Sequence, residues 1–393
     1  MRLPAGFLAS GVRAGIRKRR PDLALIVAEQ GSQAAAIFTK NRFQAAPVVL
    51  SRAAMRRSGG RVRAVVVNAG CANAITGRPG LAAARHVQTR AAELLGCPRE
   101  EIFLASTGVI GVTLPDARVR AALPGAMARL SARGLEAASH AILTTDVGPK
   151  VAQATFAHRG RRGRIVGVAK GAGMIHPDMA TMLAFLMTDA PASPAFLRAA
   201  LAEAADGSFH AISVDGDTST NDTVLLMASG RLGGRPLQSL DAAAAFRRAL
   251  LQVCGELAAL IVRDGEGATR VMEIRVQRAR TAREARLAAH AVSTSPLVKT
   301  ALAGGDPNWG RILAAAGRSG ARFSTRRVSL SVGTIPLVVR GAPAAYRERE
   351  AARQFSRERV VVTLDLDAGH ATASRLTCDL THDYVSLNAD YRS

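Results

Sequence analysis

Apolar and polar positions along this 393-residue chain fall into two rhythms. Short β-branched runs, "LALIVA" at 23–28 and "RVRAVVVN" at 61–68, end on turn residues and predict buried strands. The segments that follow, "PGLAAARHVQTRAAELLG" and then 116–143, are alanine-rich with apolar residues at helical spacing. Residues 151–169 predict two strands around a Gly/Arg turn, a hairpin that delivers the chain into a glycine-rich loop at 170–181. Ser193 before Pro194 marks a helix start, with the helix running to about Ala205 and Asp206-Gly207 closing it. A second long helix begins after Asp241 and turns Phe246, Leu250, Leu257 and Ile261 to one face before "DGEGATR" breaks it. From about 271 the rhythm changes to period two: "VSLSVGTIPLVVR", "VVVTLDLDAG" and the terminal "LTCDLTHDYVSL" each predict a strand. The whole is a mixed α/β chain with a smaller C-terminal α/β domain at about 275–393 and no internal repeat.

Composition narrows the classes. With 48% apolar residues over this length, the chain has material for two or three cores. No window approaches the roughly 18 apolar residues of a membrane span, and "MRLPAGFLASGVRAGIRKRR" has no apolar signal region, so the expectation is a cytoplasmic protein. Cys71, Cys97, Cys254 and Cys378 are scattered without a C-x-x-C pair, which points to reduced, buried thiols and to neither a zinc site nor a disulfide framework. A formal net charge of +23 raises the question of nucleic acid. The arginines, however, are spread over the whole chain and aromatic residues are 4%, which argues against a specific nucleic-acid partner. Lysine is confined to Lys18, Lys40, Lys150, Lys170 and Lys299. In a chain that otherwise writes arginine, a lysine marks a place where a compact ammonium is needed or a chance surface survivor.

One of them, Lys170, lies eleven residues before a lone threonine in "AKGAGMIHPDMATMLAFLMTDA", residues 169–190. Thr181 reads either as a core residue with a satisfied hydroxyl or as a nucleophile. A threonine hydroxyl is activated when the residue is N-terminal, because its own α-amine then serves as base. That requires cutting the Ala180–Thr181 bond, and the freed amine, with a pKa near ~7.7–8.0, is suited to take a proton at neutral pH. Gly171, Gly173 and Pro177 permit the unusual backbone that an N-to-O acyl shift needs. Elsewhere "ASTGVIG" at 105–111 is either an ordinary tight turn or a turn whose N–H groups meet an oxyanion. "TTDVGPK", "RDGEGATR", "SPLVKTALAGGDPNWGRI" and "DLTHDYVSLNADYRS" are further polar, glycine-marked stretches of the kind on which sites are assembled.

Together these segments closely resemble the ornithine acetyltransferase family, also called glutamate N-acetyltransferase. "GFLASGVRAGI", "FTKNRFQAAPV", "STGVIG", "KGAGMIHPDMATMLAFLMTDA", "SVDGDTSTND", "DGEGATR", "DPNWGRILAA" and "DLTHDYVSLNADYRS" fall in family order over the length of the chain. The resemblance implies self-cleavage between Ala180 and Thr181, giving an α chain of 1–180 and a β chain of 181–393, in which 181–274 completes the nucleophile-bearing core. It makes Thr181 the acetyl-accepting nucleophile and maps the oxyanion hole onto Thr107 and Gly108. Substrate contacts map onto Lys170, Thr181, Glu266, Asn388, Ser393 and one of Thr144/Thr145, with Thr144 favoured. The fold implied is an α/β/β/α sandwich of the DmpA type, assembled as an α2β2 heterotetramer. The reaction implied is ping-pong acetyl transfer from N2-acetylornithine to glutamate in cyclic arginine biosynthesis, with no metal or organic cofactor required. Acetyl-CoA is a co-substrate only if this member also makes N-acetylglutamate from scratch, and the motifs leave that open. A self-cleaving aminopeptidase using the same nucleophile chemistry is the alternative. Three positions depart from the family: Ala69 and Cys71 stand where serine and asparagine are usual, and Asp178 stands where asparagine is common.

Overall fold

In the computed structural model, residues 1–176 and 182–390 are described. The chain divides into two compact units, one of residues 1–210 with 217–261 and a second of 211–216 with 262–390.

The first unit is built on two sheets. One has the order β1 (Phe7–Val12), β2 (Leu23–Ala28), β4 (Ala64–Cys71), β5 (Ile102–Val109), so that β5 is an edge strand. The other runs β3 (Gln33–Phe38), β10 (Thr223–Ala228), β8 (Leu183–Thr188), β7 (Arg161–Lys170), β6 (Lys150–His158). Ala24, Ile26, Val65, Val67 and Phe103 from the first sheet share a buried cluster with Val166, Val168, Phe185, Met187 and Met227 from the second, so the sheets pack face to face. The opposite face of the first sheet, Leu23, Leu25, Val66 and Leu104, packs on α2 (Gly77–Leu95) and α3 (Asp116–Ala128). Across the second sheet lie α5 (Pro194–Asp206) and α6 (Ala244–Arg263), whose Phe196 and Phe246 stack together, with Phe246 edge-on to Phe156 of β6 at 5.1 Å. The unit is therefore an α/β/β/α sandwich, as the resemblance implied. With helices on both outer faces, β2, β8 and β10 are buried on both sides, which is why they are unbroken apolar runs without alternation. Ser193 caps α5 by accepting from the Phe196 amide, as the Ser-Pro signal predicts.

The stretch 116–143 is two helices, α3 and α4 (Leu135–Ala141), because the chain between them turns back along β1. Ala9 and Ser131 exchange backbone hydrogen bonds at 3.0 Å, and any Cβ on Gly134 would meet the Ala9 carbonyl oxygen at 1.8 Å. α1 (Ala46–Ser58) runs beside the free edge of β5, where Ser51 serves the strand backbone.

The second unit carries one mixed sheet of order β14 (Ala342–Pro343), β13 (Ile335–Val339), β12 (Ser329–Val332), β15 (Arg359–Asp365), β11 (Val271–Ala279), β16 (Ala371–Cys378), β9 (Ile212–Ser213). Its apolar face, including Met272, Ile274, Val276, Val360 and Val362, is covered by α7 (Ala282–Ser293), α8 (Pro296–Gly304), α9 (Trp309–Gly317) and α10 (Glu348–Phe355). "LTCDLTHDYVSL" is not one strand. β16 ends at Cys378 and the chain turns into α11 (His382–Asp390). The break comes at Asp379, whose amide still donates to the Arg270 carbonyl at 3.1 Å while its side chain accepts hydrogen bonds from the Thr269 amide (2.8 Å), the Thr269 hydroxyl (2.5 Å) and the Arg270 amide (3.1 Å). No helix among the described residues is long and apolar enough to cross a membrane.

Gly167 lies where α6 meets β7 and β8. A Cβ there would sit 2.7 Å from Leu186 Cδ2, 2.8 Å from Leu257 Cδ1 and 2.9 Å from Val253 Cγ1. Gly167→Val is expected to cost about 1–3 kcal/mol through overpacking, measured by urea denaturation. An unchanged midpoint would mean that this helix layer is not tightly seated.

Candidate active site

Lys170 ends β7 and Lys150 begins β6, so the antiparallel hairpin places both ammoniums at its open end. Both residues are 2% exposed. Between them sits Asp146, delivered by the "TTDVGPK" loop. Its Oδ1 accepts from Lys150 Nζ at 2.7 Å and from the Gly171 amide at 2.6 Å, and its Oδ2 lies 3.5 Å from Lys170 Nζ. The Thr144 amide donates to the same Oδ2 at 3.0 Å, which curls the loop around its own carboxylate. Burial alone would raise the Asp146 carboxyl, but the ammoniums of Lys170 and Lys150 outweigh it and hold the group well below the usual carboxylate range.

Lys170 Nζ also donates to Thr144 Oγ1 at 2.7 Å and to Thr107 Oγ1 at 3.3 Å. Each hydroxyl that accepts from the ammonium keeps its own proton to donate elsewhere. Lys170 thus turns two threonines into oriented donors.

Thr107 and Gly108 close the edge strand β5. The free edge is dressed by side chains: Ser51 Oγ donates to the Leu104 carbonyl at 2.8 Å and accepts the Leu104 amide at 2.7 Å, while Asn221 Nδ2 donates to the Ser106 carbonyl at 2.8 Å. Gly108 has φ +130°, and a Cβ would lie 2.3 Å from the Gly70 carbonyl carbon, so only glycine lets β5 close on β4 here.

Of the departures from the family, Ala69 is buried and pairs with Thr107 in the parallel ladder. Cys71 keeps a hydrogen bond, its Sγ donating to the Val112 carbonyl at 3.2 Å, and burial pushes its thiol up, away from any thiolate chemistry. Asp178, Ala180, Thr181 and Ser393 lie outside the described residues.

In the second unit, Asn388 on α11 donates through Nδ2 to Glu266 Oε2 at 3.0 Å. Thr381 Oγ1 donates to the Gly267 carbonyl at 2.7 Å, and Gly267, at φ +67°, admits the Tyr384 amide at 2.5 Å from where its Cβ would be. The "DGEGATR" loop and the last helix are therefore tied together by backbone contact as well as by side chains.

The structure brings together Thr107, Thr144 and Lys170, and separately Glu266 with Asn388. Sequence reading missed Asp146 and Lys150, although both lie in the "TTDVGPK" stretch it marked and Lys150 is one of the five lysines.

A model of the ArgJ family matches residues 8–393 of this chain. The arginine biosynthesis bifunctional protein ArgJ of Chlorobaculum tepidum is 46% identical over 390 residues, covering 99% of this chain and 96% of that protein. Its counterpart from Symbiobacterium thermophilum is 48% identical over 395 residues, covering 99% and 98%. The crystal structure of the arginine biosynthesis bifunctional protein ArgJ of Bacillus halodurans is 40% identical, covers 53% of this chain and 98% of that chain, and superposes with a TM-score of 0.51.

Removing the charge at Asp146 takes away the carboxylate that both buried ammoniums face. Asp146→Asn is expected to cost about 3–5 kcal/mol at pH 7, read from denaturant unfolding. A carboxylate whose folded pKa lies below its unfolded value of about 3.9 contributes fully at neutral pH and loses that contribution as the pH falls below about 4. The stability gap between parent and variant is therefore widest at neutral pH and narrows in acid. A gap that is constant with pH would refute the pairing.

Proposed function

The chain belongs to the ArgJ family, and from that premise we propose how its residues carry out the reaction. It is an acetyltransferase of arginine biosynthesis that moves the acetyl group of N2-acetylornithine to glutamate. The observation that carries our account of the chemistry is the Lys170 ammonium held between Thr107, Thr144 and Asp146 at the end of β7.

Self-cleavage between Ala180 and Thr181 frees the α-amine of Thr181. Its Oγ attacks the acetyl carbonyl of N2-acetylornithine while the amine takes the hydroxyl proton. The developing oxyanion is met by the Gly108 N–H and by the Thr107 hydroxyl, whose proton is free because its oxygen accepts from Lys170. Collapse breaks the amide C–N bond, returns the proton to the departing amine and releases ornithine. Glutamate then attacks the acetyl-threonine ester through its amine, giving N-acetylglutamate and restoring Thr181. Nucleophile, base and hole are all protein groups, so this chemistry calls for no metal or organic cofactor.

The Lys170 ammonium, buried at the end of β7, suits a substrate carboxylate. The Thr144 hydroxyl is a further donor for it. Glu266, with Asn388, is assigned to a substrate cation and Ser393 to a substrate contact, as the resemblance implies. The relatives are named bifunctional, and on that ground acetyl-CoA is a second acetyl donor, loading the same threonine for glutamate acetylation. The protein works in the cytoplasm, as an α2β2 assembly of the two fragments.

Intact-mass analysis tests this directly. Wild type is expected as fragments of 1–180 and 181–393, Thr181→Ala as one uncut chain, and N2-acetylornithine is expected to add one acetyl group to the 181–393 fragment that glutamate removes as N-acetylglutamate. A wild-type chain that stays whole and unacetylated refutes Thr181 as nucleophile, and acetyl lost only to water would favour the aminopeptidase. Acetyl-CoA with glutamate yields N-acetylglutamate if the second donor is used, and none if it is not.

A further inference from the structure

The stretch "SVDGDTSTND" has family likeness but no task in the chemistry above. In the first unit its end, residues 218–222, ties three elements together. Asn41 Nδ2 donates to the Thr218 carbonyl at 2.9 Å and Thr39 Oγ1 to the Ser219 carbonyl at 2.6 Å, fixing the stretch to the chain just past β3. Asn221, 3% exposed, spends both hydrogens of its amide on carbonyls, Ala72 at 2.7 Å and Ser106 at 2.8 Å, while its Oδ1 accepts from Thr220 Oγ1 at 2.6 Å. Asp222 is fully buried. Its Oδ1 accepts from the Met182 amide at 2.9 Å, and its Oδ2 has no hydrogen-bond partner among the described residues.

In the chain Ser106 directly precedes Thr107, and Met182 directly follows Thr181. We propose that Asn221 and Asp222 are positioning residues that hold the oxyanion turn and the nucleophile in register, Asn221 through the Ser106 carbonyl and Asp222 through the Met182 N–H. The inference rests on the reading of Thr181 as nucleophile. The peptide unit that carries the Met182 N–H is the one that joins Met182 to Thr181, so the bond to Oδ1 acts on the link between the two residues. The unit that carries the Ser106 carbonyl likewise carries the Thr107 N–H. Two adjacent residues joined by one peptide cannot shift independently, so each bond sets the other's position.

Burial pushes the Asp222 carboxyl well above the ordinary range, and the Met182 amide, the nearby Thr39 hydroxyl and Lys170 offset only part of that. The residue next to its grip point is Thr181. A side-chain amide at 222 keeps an acceptor for the Met182 N–H; an alanine does not.

The test uses the full chain as Asn221→Ala, Asp222→Ala, Asp222→Asn and Thr181→Ala. Self-cleavage is followed by intact mass, and kcat and KM for N2-acetylornithine are measured on the cleaved protein, with melting temperature as control. Both alanine variants are expected to cleave and turn over about 10- to 100-fold more slowly, with KM within about twofold of the parent, because misplacement by an ångström costs on that scale. Asp222→Asn is expected within about threefold of the parent in both steps and with the same pH profile. Alanine variants at parental rates would overturn the proposal, and so would losses that only track a collapsed melting temperature. Asp222→Asn as slow as Asp222→Ala would overturn the role of the Oδ1 acceptor. Cleavage by Thr181→Ala would instead sink the nucleophile reading, whatever the other three variants do.

Discussion

The site in the first unit depends on one buried carboxylate. Asp146 lies in the interior between Lys150 and Lys170, and none of the three would be tolerated there alone, because an unpaired buried charge costs several kcal/mol. Their mutual attraction makes the position of each a condition for the others. The hairpin of β6 and β7 fixes both lysines at one end by its register, and the loop before β6 closes only when Asp146 reaches them. From this arrangement follows the direction of every proton nearby. Lys170 must donate, so Thr107 and Thr144 must accept from it, and their own hydroxyl hydrogens remain to be donated elsewhere.

A second constraint is the edge of β5. An unpaired strand edge inside a four-layer sandwich would leave amides and carbonyls without partners, yet a working oxyanion hole needs an N–H left available. The chain resolves this position by position. Ser51 serves Leu104 and Asn221 serves Ser106. Gly108 admits the closest backbone approach in the ladder, against Gly70. The side chains that finish the edge therefore lie just before the glycine at which β5 closes on β4.

Much of this was legible in the sequence, for identifiable reasons. Unbroken apolar runs such as "LALIVA" read as strands because helices cover both outer faces, and Ser193-Pro194 read as a helix start because the hydroxyl reaches the Phe196 amide. Where the pattern misled, a local hydrogen bond won. Alternation carried past Cys378 implied a longer strand, but the Asp379 side chain captures three donors of the 269–270 turn, and the chain leaves the sheet to form α11. The break between α3 and α4 was hidden because it is set by backbone pairing with Ala9, a contact 122 positions away in the chain from Ser131. Thr107, Thr144 and Lys170 came from likeness to a family and are joined by one ammonium. Asp146 stayed hidden because an aspartate in a polar loop looks solvated, and nothing in one dimension shows that the loop turns inward.

Lysine usage carries the same lesson further. The chain meets its needs for surface cations with arginine, and three of its five lysines, Lys150, Lys170 and Lys299, are buried. Each is held by a tight set of oxygens. Lys299 donates to the Thr377 hydroxyl at 3.1 Å and to the Cys378 carbonyl, bracing the end of β16 just before the chain turns away. A planar guanidinium with five donors in a fixed fork cannot occupy such pockets without leaving hydrogens unmatched, whereas an ammonium with three rotatable donors can. The scarcity of lysine is thus informative in a way that the net charge is not. The net charge describes a surface, on which cations are interchangeable. The surviving lysines mark interior points where they are not, and two of the three surround the carboxylate on which the site depends.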